Sequence, residues 1–223
     1  MPIHWHRRDL RPADNVGLAA AADAANEAGT NGGGDLFALF VLDDGLLAHA
    51  GPPRVAFMLE ALESLRSWYR DRGSDLVVAR GDPREVVPEI AVEYDADLVT
   101  WNRDYSKIAR DRDAAVRREL ADRNVDRASY DDAVCHAPGS ILTSEGEHYS
   151  VFSYYWRKWA DRDPGAPPDA PDAEVLADAD RLAAVEGDPL PDLADLDVPE
   201  PSADVQSGTR QDGLDRLQEF CDD

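Results

Sequence analysis

Lysine is almost missing from this 223-residue chain: only Lys107 and Lys158 stand among its 23 basic residues, against 46 acidic ones. The net charge is −23 at pH 7 and the isoelectric point is near 4.4. A same-sign charge of that size pushes the compact state apart, and dense salt relieves the repulsion by screening. The composition therefore reads as adaptation to a very salty cytoplasm, not as a clue to a ligand. A disordered acidic chain is excluded, because periodic apolar segments fill residues 1–160 and the hydrophobic fraction is 43%.

Cysteine is just as scarce. Cys135 and Cys221 lie far apart and in no CxxC pair, which excludes a disulfide framework and a cysteine-based zinc site. The five histidines, His4, His6, His49, His136 and His148, show no metal-ligand spacing and read as rim or surface residues. Met1-Pro2-Ile3 lacks the basic stretch and apolar run of a signal peptide, and no apolar run reaches membrane-spanning length. The expectation is a soluble, cytoplasmic protein with no membrane partner.

What is present is a regular alternation of strand and helix. Strands are expected at Ile3–His6, Leu36–Leu42, Leu76–Ala79, Asp97–Trp101 and Val125–Tyr130. Helices are expected at Ala13–Ala28, with Asp14 or Asn15 near its cap, and at Arg54–Arg72, Pro83–Tyr94 and Asp111–Asn124. The continuous apolar run Leu36–Leu42 suits a strand covered on both faces. The glycines of Gly29–Asp35 follow a helix and precede a strand, the wrong order for a phosphate loop, and carry no chemistry. The fold class is α/β, a doubly wound five-stranded parallel sheet of Rossmann-like type over residues 1–133. Residues 134–160 form an irregular, aromatic-rich segment that closes the domain. Residues 161–212, rich in Pro, Asp and Ala, read as an extended acidic linker. Residues 213–223 begin an amphipathic helix with Leu214, Leu217 and Phe220 on one face and no partner, as if the chain stopped where a second domain starts.

The densest chemistry is at the opening. His4-Trp5-His6-Arg7-Arg8-Asp9-Leu10-Arg11-Pro12-Ala13-Asp14-Asn15 puts three arginines and two aspartates on the turn out of the first strand. Buried ion pairs are costly unless mutually satisfied, so structural and functional roles both fit this motif taken alone. In open α/β sheets ligands bind outside the carboxyl ends of the strands, at the topological switch point. Those ends here are His6-Arg7-Arg8-Asp9, Leu42-Asp43-Asp44, Arg80-Gly81-Asp82 and Trp101-Asn102-Arg103-Asp104. Each alone suits a helix cap or a rim ion pair; together they favour a cleft for a polar, planar ligand. No Ser–His–Asp or paired-carboxylate arrangement stands out, and no catalytic residue is assigned.

Trp5-His6-Arg7-Arg8-Asp9-Leu10-Arg11 with Asp14-Asn15 resembles the opening signature of the DNA photolyase and cryptochrome family. The resemblance continues in family order through Pro53-Arg54-Val55-Ala56-Phe57, Gly81-Asp82-Pro83, Trp101-Asn102-Arg103-Asp104 and Arg110-Asp111-Arg112-Asp113. It runs on through Tyr149-Ser150-Val151-Phe152 and Trp156-Arg157-Lys158-Trp159 to Leu217-Gln218-Glu219-Phe220-Cys221. It implies the amino-terminal antenna domain of a photolyase, a domain that holds a light-harvesting chromophore. FAD and the damaged DNA would belong to a helical domain beyond Asp223, with the electron-transfer tryptophans. On that reading this chain alone is catalytically silent and binds DNA weakly or not at all. Most of Trp5, Trp68, Trp101, Trp156 and Trp159 then serve core or inter-domain packing, since an indole buries a large area whatever its function.

The match looks closest to members that carry 8-hydroxy-5-deazaflavin. The resemblance then implies that Phe40, after the second strand, lies against the ring and that Arg54 meets its polar edge. Asp104 would accept a hydrogen bond from the ring, Asp43 would line the same rim, and Arg8 would pair with Asp9 or Asp104. Tyr105-Ser106-Lys107-Ile108-Ala109 departs from the Glu-Pro-Tyr element of deazaflavin-type relatives. Methenyltetrahydrofolate, a flavin such as FMN, and an empty pocket therefore stay open. So do a cryptochrome-type photosensor and a stand-alone nucleotide-binding module as functions.

Overall fold

The computed structural model describes residues 1–28, 35–182 and 189–222. Five strands, β1 Pro2–His6, β2 Phe37–Leu42, β3 Leu76–Arg80, β4 Leu98–Asn102 and β5 Asp126–Tyr130, form one sheet in the order β3-β2-β1-β4-β5. All four pairings are parallel. The chain builds outward from β1 through β2 to β3, then crosses to the other side for β4 and β5. The switch point lies between β1 and β4.

Side chains of a strand alternate between faces, and here each face meets helices. On one face Ala38, Phe40, Leu42 and Val78 pack with Leu18 and Ala21 of α1 (Val16–Ala28) and Leu62, Leu65 and Tyr69 of α3 (Pro52–Arg70). On the other, Trp5, Leu39, Val99 and Trp101 pack with Val87 of α4 (Pro83–Glu93) and Val116 and Leu120 of α5 (Lys107–Asp122). Trp5 and Trp101 are both fully buried, as packing residues should be.

Helix starts differ from the sequence expectation where caps decide them. α1 begins at Val16, not Ala13, because Asp14 sits at φ 54° and the Asn15 side chain accepts from the Leu18 amide. α5 begins at Lys107, four residues earlier than expected, with Ser106 Oγ accepting from the Ala109 amide. Lys107, Ile108 and Ala109, part of the segment that departs from the deazaflavin-type element, thus open this helix. A one-turn helix α2, Asp44–Leu47, was not anticipated.

The segment after residue 160 is not a free linker along its whole length. Pro168 C=O accepts from the Asp14 amide, and the Leu36 and Ala177 amides exchange bonds with Val175 and Leu36 carbonyls. A 3-10 turn at Ala173–Val175 and the short helix α7, Ala179–Leu182, place Val175, Leu176, Ala177 and Leu182 in the core. Their apolar run is short and sits among aspartates, so periodicity does not reveal it. Two further helices, α6 (Phe152–Ala160) and α8 (Arg210–Asp222), bury no residue. Of the glycine turn Gly29–Asp35, residues 29–34 lie outside the described residues.

Candidate functional site

At the carboxyl end of β1 the chain turns through Arg7, Arg8 and Asp9, and Asp9 folds back under the turn. Its Oδ2 accepts from Asn102 Nδ2 at 2.7 Å and from Asn15 Nδ2 at 3.1 Å, and its Oδ1 accepts from the Arg7 amide at 3.2 Å. The amide orientations are fixed, because Asn102 Oδ1 accepts from the Gly17 amide and Asn15 Oδ1 from the Leu18 amide. Asp9 therefore ties β1, β4 and the start of α1 together at the switch point.

His4 and His6 complete this network, and neither is a rim or surface residue as expected: both are fully buried in β1. A central strand covered on both faces buries its polar side chains with the rest. Thr100 Oγ1 donates to the Gly17 carbonyl, so it accepts from His4 Nδ1–H. That leaves His4 Nε2 facing Asp9 Oδ2 at 3.3 Å, within hydrogen-bond reach. His6 Nδ1–H donates to the Asp9 carbonyl, and its Nε2 accepts from the Tyr69 hydroxyl at 2.9 Å. Burial, helped by neighbouring His4, lowers the His6 imidazole to about 3, which keeps it neutral. Burial alone would push the Asp9 carboxyl up; the hydrogen bond from His4, with the field of that residue, outweighs it and holds Asp9 well below the usual carboxylate range. His4, His6 and Asp9 each offer a metal-binding atom within 4.8 Å of the others. Every one of those atoms already has a hydrogen-bond partner, so the triad is satisfied without an ion.

Above this floor lies a cleft of about 150 Å³ between Arg8 and Arg11 on one side and Arg103, Asp104 and Tyr105 on the other. Arg7 anchors its base, bonded to Asp113 at 2.6 Å and to the Asn102 carbonyl. Asp113 of α5 also accepts from Trp101 Nε1 at 3.1 Å. Arg103 and the Tyr105 hydroxyl both bind Asp131, at 2.7 and 2.8 Å, and burial with the Asp131 contact pushes the phenol up to about 12. Arg11 pairs with Asp132 at 2.8 Å, and Asp132 also accepts from the Val16 amide. The lone exposed cation of the turn is Arg8, whose side chain is 80% exposed and reaches Asp104 at 3.5 Å.

Of the five residues named from sequence, the cleft brings together Arg8 and Asp104. Arg8 chose Asp104 over Asp9, because Asp9 is consumed by the buried network. Asp104 also accepts from the Ser106 amide at 2.9 Å; partial burial raises its carboxyl, and Ser106 with Arg8 brings it below the ordinary value. Asp43 stands at the end of β2 and caps α2 through the Gly45 and Leu46 amides. Arg54 is exposed in the first turn of α3. Phe40 needs a correction. It lies inside β2, not after it, and is 6% exposed within the core cluster on the α1 and α3 face. All six residues of β2 are buried, so the strand consumes the ring expected at the rim. Asn15, Asn102, Tyr105 and Asp131 were missed as site residues; Asn15 and Asn102 were quoted in motifs, but nothing in sequence pairs them across the sheet.

A larger concavity, about 460 Å³, lies away from the strand ends between α3 and residues 190–194. It is shallow and rimmed by carboxylates, and none of the converging polar groups reach it. The smaller cleft is the better candidate because it stands at the switch point.

A sequence profile for the DNA photolyase family matches residues 2–172. The chain belongs to the DNA photolyase family. Over 207 residues it is 50% identical to the deoxyribodipyrimidine photo-lyase of Halobacterium salinarum, covering 92% of this chain and 42% of that protein. The deoxyribodipyrimidine photo-lyase of a Synechococcus species is 34% identical over 226 residues, 99% of this chain and 45% of its own length. Among solved structures, the class III photolyase of Agrobacterium tumefaciens superposes with a TM-score of 0.70 at 28% identity, over 99% of this chain and 44% of its own. The archaeal photolyase of Sulfolobus tokodaii, solved with two FAD molecules, gives 0.76 at 23% identity, over 97% of this chain and 45% of its own, a likeness of fold. The chain thus spans less than half the length of these photolyases. No described helix is long and apolar enough to cross a membrane.

Proposed function

We propose that this chain is the antenna-chromophore-binding part of a light-driven DNA repair photolyase, with its ligand held over the cleft between β1 and β4. The observation that carries this reading is the convergence of Arg8, Arg103, Asp104 and Tyr105 at the switch point of a photolyase-family sheet. A cleft of about 150 Å³ is below the 300–1,000 Å³ usual for a whole small-molecule ligand. It fits the polar edge of a ring system, with the rest lying along the rim toward Asp43 and Arg54. Arg8 and Arg54 supply cations for an ionised or carbonyl edge, and Asp104 an acceptor for a ring N–H. Phe40 contributes packing under the strand, not a stacking face.

The best ligand by family resemblance is 8-hydroxy-5-deazaflavin; methenyltetrahydrofolate and FMN are the competitors. A bound antenna supplies absorption of near-ultraviolet or blue light and passes the excitation on to reduced FAD. The chain's own task is to hold that ligand at a fixed angle, for which the short turns carrying these side chains are anchored directly to the ends of β1 and β4. The buried network under Asp9 provides the rigidity. Repair of damaged DNA would require the remaining half of the longer relatives, and FAD with it.

Fluorescence titration of the purified chain in high salt with each of the three chromophores tests the reading. Saturable binding of deazaflavin, and weaker binding of the others, is expected. Failure of all three to bind would remove the light-harvesting role from this chain.

A further inference from the structure

Immediately before α8 the chain is hydrogen-bonded to α3 at Ser207 and Gly208. The Gly208 amide donates to Glu60 Oε2 at 2.9 Å and the Ser207 hydroxyl to Glu60 Oε1 at 3.0 Å, so both oxygens of one α3 carboxylate are used. Gly208 lies against the α3 backbone itself. A Cβ there would press into the Phe57 carbonyl and stand 3.0 Å from the Ala61 amide nitrogen. Only glycine allows that approach.

The contact coincides with the start of α8. Thr209 Oγ1 accepts from the Asp212 amide and its carbonyl accepts from the Gly213 amide, so the helix begins at Arg210, two residues after Gly208. α8 itself buries nothing and shows Leu217 and Phe220 to solvent. Nothing else described along α8 sets its direction.

We propose that Ser207, Gly208 and Glu60 form a clasp that fixes the heading of α8 relative to α3 and the sheet. Glu60 and Gly208 act as positioning residues: the carboxylate supplies two acceptors and the missing side chain supplies the close approach. The clasp decides which way Leu217 and Phe220 face. For an antenna, whose output depends on a fixed geometry, such a joint is the place where orientation is set; that consequence alone rests on the proposed function.

The two cysteines make the test direct, because Cys135 and Cys221 are both exposed and are the only two in the chain. Nitroxide labels on both report the distance from the domain to α8 by pulsed electron resonance, without any chromophore. The wild-type chain should give one narrow distance distribution. Glu60→Ala and Gly208→Ala should each broaden it into several components, and Glu60→Gln, which keeps one acceptor, should fall between. In Glu60→Ala the Gly208 amide should exchange its hydrogen about tenfold faster or more. Glu60 is exposed, so far-ultraviolet dichroism and the melting temperature should hold near wild type and show that broadening is not unfolding. A broad distribution in the wild type, or a narrow unchanged one in Glu60→Ala, would overturn the clasp.

Discussion

Asp9 carries more of the rim's polar contacts than any other residue, and its burial makes those contacts pH-sensitive. Its carboxyl is depressed in the fold, so stability is complete above the unfolded value near 4 and declines as pH falls below it. His6 acts in the same direction over a higher window. Its folded value is lowered from 6.5 to about 3, so between those limits the unfolded chain binds a proton that the folded chain refuses. Stability therefore falls as pH drops from 6.5 toward 3, then levels for this group. Denaturant melts across that window should show the decline. In His6→Phe the curve should flatten by about one proton, while stability at pH 7 drops by roughly 1–2 kcal/mol for the lost Tyr69 and Asp9 bonds. An unchanged slope would remove His6 from the account. Sequence alone marks Arg8 and Asp104, whose charges stand at a strand end. It cannot mark His4 and His6 as buried, because polar residues in a doubly covered strand look the same as rim residues until the sheet order is known.

At the scale of elements, the close seat of α1 on the sheet is set by Gly17. A Cβ there would stand 2.6 Å from Asn102 Oδ1 and 2.9 Å from His4 Cε1, inside the network that floors the cleft. Gly17→Ala should lower stability by roughly 1–3 kcal/mol through overpacking, and should disturb the rim as well. Thermal melts and a backbone amide spectrum check both; wild-type stability with unshifted Asn102 side-chain signals would contradict the close packing. The alternation of strands and helices was legible because each element is long enough for its period to show. The start of α5 was not, since Ser106 sets it through a single cap, whereas for α1 the sequence offers Asp14 or Asn15 near the cap and Asn15 takes that place. The buried turn around Val175 and Leu176 also escaped, as three apolar residues in an acidic run have no period. Phe40 shows the limit of carrying a role over by motif: the strand that contains it buries all six of its residues.

For the whole molecule the dominant quantity is the charge of −23. Most of the ion pairs lie at the surface, where each contributes little, so the fold depends on screening of the excess acid. The melting temperature should rise steadily from dilute buffer to molar potassium chloride; a flat or falling curve would contradict the halophilic reading. The same charge opposes a DNA backbone, which needs a cationic face. The most direct test of the central claim, that the β1/β4 cleft holds the ligand, is the dissociation constant of 8-hydroxy-5-deazaflavin for wild type, Arg8→Ala, Asp104→Ala and the control Glu63→Ala. Glu63 lines the larger concavity on α3 and leaves the cleft intact. Loss of one charge-assisted contact of about 1.5–3 kcal/mol should weaken binding roughly tenfold or more in the two cleft variants and leave the control unchanged. Undiminished affinity in Arg8→Ala and Asp104→Ala, or a loss confined to Glu63→Ala, would place the ligand elsewhere and contradict the account.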